Sequence, residues 1–170
     1  MNIILIGMMG SGKTTIGAEL AKQLPEYKYI DIDNEIEKST QKKISEIFLK
    51  HGEPFFRMLE EEKIKHFCSM DEQIISAGGG AFENEDNRKR MLNNGKVIYL
   101  KASADEIFNR IKAQTHRPLL KKNFSVKKIE SILKLREKNY EKAHYIIDTD
   151  KKTPYNITQE IISGVINDWG

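Results

Sequence analysis

The sequence predicts an α/β fold in which a parallel sheet is covered on both faces by helices. Five short apolar or β-branched runs recur along the chain, and stretches of helical period separate them. Glycine-rich turns follow the first and third of these runs, and in such sheets ligands gather beyond the carboxyl ends of the strands. The run Asn2-Ile3-Ile4-Leu5-Ile6 reads as a buried strand over Ile3 to Ile6, followed by a helix over 13–24 whose core is the amphipathic stretch Thr15 to Ala21. Tyr29 to Ile32 forms the second strand. A short helix over 34–38 follows, which Asp33 or Asn34 is suited to cap. The pattern over 44–67 predicts a long helix interrupted at Pro54, leading to a third strand at Gln73 to Ser76. Helices over 85–94, 104–113, 126–142 and 155–168 alternate with strands at Val97 to Leu100 and Tyr145 to Ile147. Gln114 to Phe124 is the one poorly patterned stretch, suited to a mobile flap.

At 170 residues the chain matches a single domain spanning 1–170, and 39% hydrophobic against 31% charged residues is too apolar for a disordered protein. The opening lacks the basic region and cleavage site of a signal peptide, and no stretch approaches the roughly 18 apolar residues of a membrane helix. Cys68 is the sole cysteine, so no disulfide forms within the chain. A cytoplasmic location without membrane partners is expected. The four histidines are scattered and lack ligand spacing, which leaves a zinc site unsupported. A net charge of +3 suits an anionic ligand without requiring nucleic acid. Positive charge gathers between Lys121 and Lys142, where eight Lys or Arg face three Glu.

The segment GMMGSGKT places Gly7, Gly12, Lys13 and Thr14 at every fixed position of a phosphate-binding loop, between a strand and a helix as that motif requires. Glycines let the backbone curl so that N–H groups point at phosphate oxygens, and the helix N-terminus adds partial positive charge. Gly10, Ser11, Gly12, Lys13, Thr14 and Thr15 are therefore the expected nucleotide-binding residues. Lys13 would reach the β- and γ-phosphates of ATP, and the Thr14 hydroxyl would ligate Mg²⁺. The same turn serves many NTP-using proteins, so the acceptor must be read elsewhere.

Asp31-Ile32-Asp33 closes the second strand, whose alternation would send both carboxylates to one side. Asp31 is suited to hold Mg²⁺ and Asp33 to accept the proton of an attacking hydroxyl, although helix capping is an equally local use. Arg57 precedes Glu60 and Glu61 at helical spacing, which by itself describes a surface ion pair. Gly78, Gly79 and Gly80 follow the third strand. They open the ligand edge to close backbone approach, or they serve a turn that needs positive φ. The proline after Arg117 biases it to an extended conformation, from which a flap could deliver its guanidinium to phosphates. Arg136 sits in the basic helix, where a solvated face is the ordinary meaning.

Together these stations resemble the shikimate kinase family, in order and spacing over essentially the whole chain. The resemblance rests on GMMGSGKT, Asp31-Ile-Asp33, the GExxFR stretch ending at Arg57, the glycines at 78–80, Arg117-Pro118-Leu119-Leu120, the Arg136 helix and Asp148-Thr149. It implies a three-layer fold like that of nucleoside monophosphate kinases, with a five-stranded parallel sheet. A substrate-binding segment at about 33–60 and a mobile lid at about 112–124 are also implied. The implied activity is ATP-dependent phosphorylation of the 3-hydroxyl of shikimate, a step toward chorismate and the aromatic amino acids. Asp33 would hold the reacting diol and act as base, and Arg57 and Arg136 would grip the shikimate carboxylate. Gly78, Gly79 and Gly80 would line the substrate, Arg117 would contact the transferred phosphate, and Arg110 would lie near the adenine. A monomer with small-molecule substrates is expected. The rivals are a P-loop kinase acting on gluconate or a nucleoside monophosphate, and an ATP-responsive nucleic-acid binder. The second lacks interleaved stacking aromatics in its basic stretch, where only Phe124 and Tyr140 occur.

Overall fold

The computed structural model describes residues 1–113 and 125–166. Five strands, β1 (Asn2–Ile6), β2 (Lys28–Asp31), β3 (Gln73–Ser76), β4 (Gly95–Lys101) and β5 (Tyr145–Asp148), pair in parallel in the order β2-β3-β1-β4-β5. The central β1 is buried along its whole length. That is why its sequence is a continuous apolar run and not an alternating one.

Side-chain alternation divides the core into two layers. Ile4 and Ile6, with Ile75, Val97 and Tyr99, pack on one face against Ile36 of α2 (Ile32–Thr40), Phe56, Ile64 and Phe67 of α3 (Ile44–Cys68) and Met91 of α4 (Glu85–Asn94). Ile3 and Leu5, with Ile74, Ile98 and Leu100, pack on the other against Ile16 and Leu20 of α1 (Lys13–Gln23) and Ile157 and Ile161 of α7 (Pro154–Ile161). Each such side chain contributes about 1.5–3 kcal/mol relative to exposure, so the period-two pattern strongly fixes the register. A third cluster joins Met8 to Ile107 and Ile111 of α5 (Ala104–Ala113) and Ile129 of α6 (Val126–Tyr140). The phosphate-loop segment is thereby anchored to the second half of the chain.

Helix α1 lies unusually close to the sheet at Gly17, where a Cβ would stand 2.3 Å from Tyr29 Cε2. The Tyr29 hydroxyl, in turn, reaches Ser76 Oγ at 3.2 Å, and Ser76 Oγ donates to the Lys13 carbonyl at 3.1 Å. Burial pushes the Tyr29 phenol up to about 12, which keeps it a neutral donor.

Several boundaries differ from the sequence expectation. Strand β2 ends at Asp31, whose Oδ1 accepts from the Asn34 N–H at 3.2 Å and caps α2. The helix therefore begins at Ile32, the cap is Asp31 instead of Asp33 or Asn34, and Asp33 stands in the first helical turn instead of on a strand. In α3 the helical path breaks at Gly52 (φ 79°, ψ 175°), two residues before the expected interruption at Pro54. Pro54 falls in the first turn after the break, where its missing N–H costs no helical bond. Helix α6 stops at Tyr140, and the final α-helix ends at Ile161 and passes into a π-helical segment at Ile162–Ile166.

Candidate active site

The loop between β1 and α1 owes its path to Gly7, Gly10 and Gly12, whose φ values of 142°, 81° and 102° exclude ordinary side chains. Lys13 Nζ folds back over this loop and donates to the carbonyls of Gly7 at 2.8 Å and Met8 at 2.9 Å. A cleft of about 610 Å³ opens above it, lined by Gly10, Gly12, Lys13, Thr14 and Thr15 from the loop and α1. Asp31, Asp33, Gly78 and Gly79 form its wall toward β2 and β3, and Arg110, Lys152, Pro154 and Ile157 form the opposite wall. Ser11 is fully buried beneath the loop, with its N–H bonded to the Met8 carbonyl at 3.1 Å.

Thr14 Oγ1 donates to Asp31 Oδ2 at 3.0 Å, so a hydroxyl from the first turn of α1 and the carboxylate that caps α2 meet at the cleft wall. Asp33 lies two residues further, in the first turn of α2, with Oδ1 3.3 Å from the point where a Gly78 Cβ would sit. Both carboxylates thus face the cleft, through the cap and first turn of α2 and not through strand alternation.

Of the three glycines after β3, Gly78 and Gly80 are required for space, whereas a Cβ on Gly79 would meet Met9 N at 3.3 Å, which a small shift relieves. All three lie outside the positive-φ residues, which corrects the alternative of a turn chosen for its backbone angle. A Cβ on Gly78 would stand 2.3 Å from Glu60 Oε1, and one on Gly80 would stand 2.6 Å from Arg57 Nη2. Arg57 also corrects its bland reading. Its Nη1 donates to Glu60 at 2.7 Å, and its Nε and Nη2 donate to Glu53 at 3.2 and 3.0 Å. Glu60 is 1% exposed, and the second carboxylate is Glu53, four residues earlier, instead of Glu61. Desolvation raises the Glu60 carboxyl above its ordinary range against the pull of Arg57, with the nearby Asp33 charge adding to the rise. Glu60 was a missed site residue. Its signal was a charge within the buried stripe Phe56-Glu60-Ile64-Phe67, at a spacing that faces one side of a helix.

Arg136 reaches across from α6, with Nη1 donating to the Gly79 carbonyl at 3.0 Å. The hydroxyl of Tyr140, one turn later and fully buried, donates to the same oxygen. Arg57 and Arg136 therefore flank one glycine turn. Arg110 is held by Glu106 at 2.9 Å and donates to the Ser11 carbonyl and to Thr149, which fixes the nucleotide-side wall. Lys112 and Ala113, the start of the expected lid at about 112–124, close α5, and the rest of that segment with Arg117 lies outside the described residues. Cys68 is packed in the core, and burial pushes its thiol up to about 11.

A cleft with a phosphate loop at its base, two carboxylates on one wall and two arginines at one glycine turn suits phosphoryl transfer to a small anionic acceptor. Comparison with known proteins gives this arrangement a family. A family model described as shikimate kinase matches residues 9–165. A shikimate kinase of Thermodesulfovibrio yellowstonii is 44% identical over 95% of this chain and 92% of its own length. One from Persephonella marina is 42% identical over 96% and 98%. The solved structure of shikimate kinase from Acinetobacter baumannii in complex with shikimate superposes with a TM-score of 0.91 at 34% identity, covering 99% of this chain and 94% of that one. With the sheet, the cleft and these full-length matches in agreement, the chain belongs to the shikimate kinase family.

Proposed function

We propose that the chain transfers the γ-phosphoryl group of ATP to the 3-hydroxyl of shikimate, giving shikimate 3-phosphate and ADP on the route to chorismate and the aromatic amino acids. The observation that carries this reading is the pair Arg57 and Arg136 on either side of the glycines at 78–80, next to a phosphate loop in the same fold as a shikimate-bound relative. Two guanidinium groups can grip one carboxylate with charge-assisted bonds, which an uncharged acceptor would leave unpaired.

Gly10, Gly12, Lys13, Thr14 and Thr15 cradle the triphosphate, whereas Ser11, buried with its N–H bonded to Met8, supports the loop from beneath, and Lys13 exchanges its bonds to Gly7 and Met8 for phosphate oxygens. Arg110, with Lys152 and Pro154, borders the base. Gly78, Gly79 and Gly80 line shikimate, and Asp33 holds the acceptor hydroxyl and takes its proton. The Thr14 hydroxyl and Asp31 carboxylate, adjacent hard oxygen donors on the cleft wall, fit Mg²⁺. When bound, Mg²⁺ neutralises charge that develops on the phosphates. Arg117 contacts the transferred phosphate from the lid expected at about 112–124, whose closing over the phosphates would exclude water. The chain works as a single domain and a monomer in the cytoplasm. Among the described residues no helix is long and apolar enough to cross a membrane.

The test is ADP release with Mg²⁺ and ATP in the presence of shikimate, gluconate, AMP or no acceptor, with phosphorus NMR of the product. Stimulation by shikimate alone, with a new phosphomonoester, is the expected result. Stimulation by another acceptor would leave the phosphate loop in place and overturn the assignment of Asp33, Arg57 and Arg136.

A further inference from the structure

The carbonyls of the glycine turn are satisfied unequally. Gly78 O accepts from the Ala81 N–H at 3.0 Å and Gly80 O from the Glu83 N–H at 3.1 Å, so both are used inside the turn. Gly79 O accepts instead from two side chains on α6, Arg136 and Tyr140. These donors differ in freedom. Arg136 is half-buried at the end of a flexible stem, whereas Tyr140 is fully buried with its ring 4.9 Å from that of Tyr99. An anionic ligand attracts a guanidinium more strongly than a neutral carbonyl does, so Arg136 is the donor that can leave.

We propose that Tyr140 is a positioning residue: it keeps the Gly79 carbonyl satisfied when Arg136 turns from that oxygen to the carboxylate of the substrate. The inference rests on the reading of Arg136 as a carboxylate ligand. A carbonyl oxygen has two lone pairs, which permits the shared state before binding and the single bond after it. Tyr140 thereby lowers the cost of releasing Arg136 without touching the substrate. It also holds the turn in place, since its phenol is tethered through the Tyr99 pair to the sheet.

The test compares wild type with Tyr140→Phe by calorimetric titration and thermal unfolding. Without ligand, Arg136 still covers Gly79, so the melting temperature should stay close to wild type. Shikimate affinity should fall about 5- to 100-fold, because binding now leaves the Gly79 carbonyl without either side-chain donor. Nucleotide affinity should be unchanged, and Tyr99→Phe, which keeps the ring pair, should bind shikimate as wild type does. Equal shikimate affinity in Tyr140→Phe and wild type would overturn the proposal, as would a large loss of stability in the ligand-free variant. A second measurement needs no substrate. Tyr140→Phe should lower the melting temperature far more in an Arg136→Ala background than alone, because the double variant removes both donors. Additive losses would overturn the sharing of Gly79. Failure of wild type to bind shikimate would instead defeat the functional reading, and the stability cycle would still decide the role of Tyr140.

Discussion

Replacing Gly80 by alanine tests the acceptor site through one methyl group. Gly80 has φ −104° and ψ −4°, a conformation alanine adopts readily, so the backbone offers no objection. The added Cβ would lie 2.6 Å from Arg57 Nη2, 2.9 Å from Cζ and 3.0 Å from Nη1. Ordinary contact begins near 3.4 Å, so the guanidinium must retreat by roughly 0.8 Å. That shift stretches the 2.7 Å bond to Glu60 toward the limit of hydrogen bonding, in a place where Glu60 is too buried for water to compensate. Loss of one charge-assisted bond costs about 1.5–3 kcal/mol, which corresponds to about a 10- to 150-fold rise in the KM for shikimate if Arg57 must occupy its present position to bind. Steady-state kinetics with each substrate varied in turn gives the answer, with KM for ATP expected to stay within about twofold. An unchanged KM for shikimate would refute Arg57 as a ligand, and equal losses for both substrates would point to a distorted turn.

Asp33→Asn should leave ATP binding near normal and lower kcat by at least about a hundredfold, as for removal of a base and anchor; near-wild-type turnover would remove Asp33 from the mechanism. Glu60→Gln should show a pH-dependent stability difference. Because the folded-state carboxyl titrates above its unfolded value of 4.5, the stabilising effect of protonation is fully present below that value and is lost as pH rises through the folded one. The glutamine variant should therefore melt above wild type at neutral pH, with the gap closing as pH falls through the folded-state value and absent below about 4.5. A gap that does not depend on pH would refute the assignment.

The fold was legible because each strand is bounded by residues that cannot continue it and each face carries its own apolar set. Less legible were features that depend on two elements meeting. Asp31 looks the same in sequence whether it ends a strand or caps a helix, and only the Asn34 N–H decides. Pro54 drew the expected break away from Gly52, since proline disrupts a helix interior but is tolerated in its first turn. Glu60 passed as a surface partner because the helical spacing to Arg57 is equally compatible with an exposed face and a buried one. Tyr140 figures in the sequence only as an isolated aromatic in the basic stretch, but it is buried and its hydroxyl reaches a residue 61 positions away. Arg136 gained meaning only beside Gly79, a contact that no local pattern encodes.

That contact also limits how this protein can be recombined. The walls of the cleft divide along the chain: Asp31, Asp33 and the glycines at 78 and 79 precede β4, the wall of Glu106, Arg110, Lys152 and Pro154 follows it, and the phosphate loop at the base belongs to the first half. A chimera joined at the start of β4 would seem to exchange nucleotide preference as a module. Yet α6 would travel with the second half, and Arg136 and Tyr140 would then meet the Gly79 carbonyl of a foreign turn. Successful exchanges should therefore carry residues 78–80 together with 136–140, two short segments inherited as one unit despite the 55 residues that separate them in sequence.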